Sequence, residues 1–270
     1  QLKFAAITPA LIIGAFAERI RFRSLLVFVV LWTVVVYAPA AHWVWGVGGW
    51  LRDLGALDFA GGTVVHVLAG VSALGSAMVI GRRDKSAHAA RPSNVPFVIL
   101  GAALLWFGWF GFNAGSALAM NGVAVNALVT TNIAAAFAAL SWMAVDWFLW
   151  GKPSATGAAT GAVCGLVAIT PAAGFVDSMA AVIIGLLVGM ICSLMVVLLD
   201  RTRLDDTLDV FACHGMGGIF GAIATGFFAQ KLVNPAGADG LLYGNPKQVL
   251  VQAAAVAATA VWGFVMSVVL

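Results

Sequence analysis

Hydrophobic positions along the chain fall into long unbroken runs, separated by short clusters of charge, proline and glycine. About nine runs can be read: Leu2–Ala17, Leu25–Trp45, Gly62–Ile80, Pro96–Asn113, Val123–Trp150, Gly157–Thr170, Met179–Leu199, Val210–Phe228 and Val249–Leu270. A helix that crosses a bilayer needs about 20 apolar residues, and most of the runs qualify. They are continuous, whereas the strands of a membrane barrel alternate. The first run is short, and the sixth is short and ends at "TPAAG", where Pro171 cannot continue a helix. The pattern predicts an all-α, polytopic membrane helix bundle of about nine transmembrane helices, in one domain covering residues 1–270. Gln1 in place of a methionine, and an apolar run still open at Leu270, predict a chain cut at both ends.

Composition agrees. Of 270 residues 62% are hydrophobic and 9% charged, against about 25% charged in soluble domains; mean hydropathy is +1.02. So few charges cannot cover a water-facing surface. The 31 glycines suit helices that pack closely in lipid. Cys164, Cys192 and Cys213 sit in apolar runs without metal-ligand spacing and read as small core residues.

Charge adds a direction. The loops after runs one, three, five and seven carry Arg19, Arg21, Arg23, Arg82, Arg83, Lys85, Arg91, Lys152, Arg201 and Arg203. The other side holds Lys3, Arg52, Lys231 and Lys247. This bias places the richer loops, with the long "GRRDKSAHAARPSNVP", in the cytoplasm. The basic residues are dispersed over loops, so the net charge of +3 points to membrane topology and not to nucleic acid.

Polar groups inside the runs carry the chemistry. An ionisable residue in a membrane helix is costly and usually faces the bundle interior or a cavity. His66 has Gly62 and Gly70 four residues to either side, and His214 has Gly218 and Gly221 at i+4 and i+7. On an α-helix those glycines share the histidine's face, so a partner helix or a lumen can approach the ring. Neutral imidazole offers one donor and one acceptor, which suits passing a small hydrogen-bonding molecule or a proton between two rings. Two histidines without nearby Asp, Glu or Cys ligands speak against a metal site. Asp58 and Asp209 precede the two histidine helices, where an N-cap is the plain expectation; a buried Asp58 would also organise a cation site by its charge. Trp109, Phe112 and Ser116 fall on one face, begun by Trp106. Aromatic faces attract ammonium-type cations, and a hydroxyl accepts from one. Trp43, Trp45 and Trp50 fit an interfacial belt, and one of them on this glycine-rich turn would complete a cation-π site. No nucleophile–base pair is legible, so an enzyme is not expected.

With these residues assembled, the chain resembles the ammonium transporter family, in its Amt/Mep branch. "LDFAGGTVVHVLAGVSALGSAMVIGRR" is similar to the family signature, and "AERIRF", "WFGFNAGS", "GLVAITPAAG" and "DVFACHGMGGIFG" follow the family order. The resemblance implies eleven helices in two inverted repeats, assembled as a homotrimer in the inner or plasma membrane. This chain would then begin within the third helix. It implies that Trp45 and Ser116 recruit ammonium, that Phe4 and Phe112 close the pore, and that Trp109 lines the path. His66 and His214 become the paired pore histidines and Asp58 the essential aspartate. No cofactor is implied. A cytoplasmic PII-type regulatory protein is an implied partner, and an ammonium sensor is the alternative function.

Overall fold

The computed structural model describes residues 1–83, 92 and 94–270. Lys85 and Arg91, with most of the predicted long basic loop, lie outside the described residues. The described residues are helical, with no strand. In chain order the helices are α1 (Leu2–Ile13), α2 (Phe22–Trp32), α3 (Ala38–Trp45), α4 (Trp50–Leu54), α5 (Leu68–Ile80), α6 (Val95–Ala114), α7 (Gly122–Trp150), α8 (Ala155–Ile169), α9 (Ser178–Asp200), α10 (Gly217–Phe228) and α11 (Lys247–Val269). A π-helical turn, Thr33–Tyr37, joins α2 to α3. Two more, Gly62–Val67 and Phe211–Met216, lead into α5 and α10.

Among the described residues, seven segments are long and apolar enough to cross a membrane: Phe22–Leu54, Gly62–Ile80, Val95–Ala117, Gly122–Trp150, Ser178–Asp200, Phe211–Phe228 and Lys247–Val269. Two further predicted runs correspond to the shorter apolar helices Leu2–Ile13 and Ala155–Ile169. The all-α membrane bundle therefore stands, with seven full-length spans in place of the nine expected. The first of these two stops earlier than its predicted run, and the second ends at the proline as expected. The chain leaves helix after Ile13, well before Ala17, and α8 ends just before Pro171.

Helix starts follow the side chains that satisfy free backbone N–H groups. Asn94 accepts from Phe97 N–H, Asn121 from Ala124, Ser154 from Gly157 and Asp177 from Ala180. Lipid tails are as apolar as leucine, so burial alone gives helices little reason to associate; close approach and interhelical hydrogen bonds do. α7 supplies the first, packing its buried Ala127, Ala134 and Ala138 against α8 and α9. Cys164, Cys192 and Cys213 are buried in the same cluster with free thiols. Trp32 supplies the second: its indole N–H donates to Ser72 at 3.2 Å and Ser267 at 2.9 Å, tying α2 to α5 and α11.

Candidate functional site

Glycine at position 61 lets the chain enter the first π turn. Its φ of 108° is open to glycine alone at low cost, and it folds residues 61–64 back over Asp58. The Asp58 carboxylate then accepts from the N–H groups of Gly61 (2.7 Å), Gly62 (2.6 Å), Thr63 (2.8 Å) and Val64 (3.2 Å), and from the Thr63 hydroxyl. The residue is buried. Asp58 thus caps the segment that carries His66. Its backbone carbonyl accepts from the Trp45 indole N–H at 2.8 Å, so the same residue also fixes the tryptophan.

From Trp45 a column of rings descends into the bundle. Phe4 meets Trp45 edge-on at 5.4 Å and lies 4.5 Å from Phe112. Trp109, one turn from Phe112 on α6, stacks on His66 at 5.3 Å with planes 18° apart. Thr170 holds it there, accepting from the Trp109 indole at 2.9 Å. His66 stacks in turn on His214 at 5.3 Å, and their Nδ1 atoms are 3.2 Å apart. Ser116 sits just past α6, its hydroxyl donating to the Phe112 carbonyl at 2.9 Å.

A cavity of about 1400 Å³ opens beside this column. Phe4, Trp45, Asp58, His66, Trp109, Phe112 and Ser116 all line it. His214 is the one predicted site residue outside its lining; it lies behind His66. His66 is buried, and its Nε2 has no hydrogen-bond partner among the described residues.

The glycines beside the histidines do not border a lumen; they admit the partner helix. A β-carbon on Gly70 would fall on the backbone of Gly215 and His214, and one on Gly218 would meet Gly62 O, Val67 N and His66 Cβ. Both histidines also lie in π turns, so the α-helical spacing that grouped them with their glycines does not hold there.

The cap expected of Asp209 belongs to Asp206, whose Oδ2 accepts from Phe211 N–H at 2.6 Å. Asp209 instead takes the left-handed conformation, φ 55°. The signal was present in the sequence: Asp58 precedes His66 by eight residues, and Asp206 precedes His214 by the same eight. Nearby, Arg83 holds Asp205 through bonds of 2.7–3.1 Å, and Arg19 lies 3.6 Å from the same carboxylate. Burial pushes the Asp205 carboxyl up, but the Arg83 hydrogen bonds and the two guanidinium charges outweigh it and hold it below the usual range.

A family model described as "Ammonium Transporter Family" matches residues 1–270. An ammonium transporter of Bacillus subtilis is 52% identical over 271 residues, covering 100% of this chain and 67% of the relative. The crystal structure of Candida albicans Mep2 superposes with a TM-score of 0.93 at 42% identity, over 98% of this chain and 61% of that one. A solved "Sensor Amt Protein" matches with a TM-score of 0.89 at 32% identity, over 98% of this chain and 68% of that one. The chain therefore spans about two thirds of the length of these relatives.

Proposed function

The chain belongs to the ammonium transporter family, and on that premise we propose that the protein moves ammonium across the plasma membrane through the cavity that ends at His66. One observation carries the reading: a buried imidazole nitrogen, His66 Nε2, has no partner among the described residues and borders an aromatic-lined cavity.

The hydrogen bonds already made define what each group can still do. The Trp45 N–H is spent on the Asp58 carbonyl, so Trp45 offers its ring face, which attracts an ammonium cation. The Ser116 proton is spent on Phe112, so its oxygen lone pair is left to accept an ammonium N–H. The Asp58 carboxylate is occupied by backbone N–H groups and acts by holding Trp45 and the π turn in place. A bare cation in hydrocarbon costs on the order of tens of kcal/mol. Past Phe4 and Phe112, NH4+ therefore gives its proton to the open nitrogen of His66, Nε2, and goes on as NH3. Ammonia passes His66 and His214, and the proton follows separately through the imidazoles. Potassium has no proton to release and no N–H to donate.

The family resemblance extends the proposal to a homotrimer that meets a PII-type regulator at its basic end. An ammonium sensor would use the same cavity, a reading the sensor relative favours. Ammonium-evoked current in proteoliposomes decides between them. Transport predicts a current that His66→Ala or His214→Ala alters in size and in selectivity over potassium. Saturable ammonium binding without current would establish the sensor instead.

A further inference from the structure

Gln252 on α11 is fully buried, with 0% of its surface exposed. Its Oε1 accepts from the Leu57 N–H at 2.8 Å, and its Nε2 donates to the Leu57 carbonyl at 2.8 Å. Nε2 also donates to the Ala222 carbonyl on α10 at 3.0 Å. One turn earlier, Gln248 donates to the Gly55 carbonyl at 3.0 Å and to Gln252 Oε1 at 3.3 Å. Leu57 is the residue before Asp58, which caps the His66 segment and anchors Trp45. Ala222 stands on the helix that continues from His214. One amide thus joins the loop behind the first histidine to the helix beyond the second.

We propose that Gln252 is a positioning residue for transport: it sets the Asp58 loop against α10, and so fixes Trp45 and His66 relative to His214. The proposal rests on the transport reading above. Its chemistry is specific to a primary amide. Pairing both ways with the Leu57 backbone needs one donor and one acceptor on a single planar group, and a second N–H for Ala222. A methionine of equal length fills the space and offers neither. Glutamate would turn a second acceptor toward two carbonyls. A side chain present for packing alone would not need to be glutamine.

The test compares Gln252→Met with Ser267→Ala, which removes the Trp32–Ser267 bond far from the Asp58 loop. The protein at its natural length is reconstituted in proteoliposomes. Half-saturating ammonium, the ammonium-to-potassium current ratio and amide hydrogen exchange over residues 57–64 are measured. Positioning predicts that Gln252→Met raises half-saturation about tenfold, which is roughly 1.4 kcal/mol, lowers the current ratio and speeds exchange at 57–64. Ser267→Ala leaves all three unchanged even where it lowers thermal stability. Should Gln252→Met fail to fold, Gln248→Met, which releases Gly55 and the bond to Gln252 Oε1 but keeps the Leu57 and Ala222 bonds, is expected to give a smaller shift in the same direction. Half-saturation and exchange at wild-type values, or moved equally by Ser267→Ala, overturn the proposal. A wild-type protein without ammonium current defeats the transport reading, and the exchange comparison then decides this one alone.

Discussion

His66 and His214 stand with their Nδ1 atoms 3.2 Å apart although 148 residues separate them in sequence. At that distance one nitrogen donates and the other accepts, so the pair holds a single proton between its rings. Two charged rings would set N–H against N–H. The two rings therefore form one hydrogen-bonded unit, and groups in such a unit are non-additive by about 0.5–3 kcal/mol. His66→Ala and His214→Ala are each expected to change the ammonium-to-potassium ratio nearly as far as the double variant does. Currents from all three, set in one cycle with wild type, measure this. Effects that simply add would show two independent rings.

Gly70 makes that contact possible. Its α-carbon lies against the Gly215 backbone, with no room for a methyl group. In Gly70→Ala the only relief is to part α5 from the turn that carries His214. A cost of about 2 kcal/mol or more is expected, because interiors at native density do not yield locally. Gly122→Ala is the comparison, since a β-carbon at Gly122 meets nothing within 4 Å. Thermal unfolding in detergent should fall for Gly70→Ala and hold for Gly122→Ala, and transport should be lost only in the first.

Apolar periodicity exposed the helices because a membrane span is long and has one solvent. It overstates Leu2–Ala17, where apolar residues continue through a turn, while Gly157–Thr170, read as short and ended by Pro171, matches the short helix Ala155–Ile169. The histidines were legible because an imidazole is rare in such a run. Their π turns were not, since nothing in residue type marks a hydrogen bond to i+5 in place of i+4. The sequence points to Asp209 as the cap because it is the acid nearest Phe211, but the π turn draws its cap from the earlier Asp206. Gln252 has no signal in the sequence: an amide in an apolar run declares no partner, and Leu57 lies 195 residues away.

Asp58 offers a sharp substitution. Its two oxygens accept from four backbone N–H groups and one hydroxyl. An asparagine at this position would replace one oxygen with an NH2 group that faces those donors. Leaving buried donors unpaired costs about 1–3 kcal/mol per group. Asp58→Asn is expected to lower stability by roughly 2–4 kcal/mol, to loosen Trp45, and to cut transport more than tenfold. Chemical unfolding followed by tryptophan emission reports the first two effects, and proteoliposome current the third. A variant with wild-type stability would show that the five bonds contribute little.

At the opposite end, Asp209 gives a dependence on pH. Burial raises its carboxyl, repulsion from Asp206 and Asp200 adds to this, and Arg83 opposes it, leaving it at about 7. An unfolded aspartate titrates near 3.9. Between about pH 4 and about pH 7 the folded protein keeps a proton that the unfolded chain has released. Stability therefore falls as pH rises through that window and levels off above it. Asp209→Asn removes this loss, which is on the order of 2–4 kcal/mol. Asparagine also suits the left-handed φ of 55°. The variant should match wild type near pH 4 and unfold at a higher temperature at pH 8. Asp205 and Asp206 titrate in both proteins, so the difference between the two melting curves reports Asp209 together with its coupling to Asp206. A difference that does not grow from pH 4 to pH 8 would place the Asp209 carboxyl in the ordinary range.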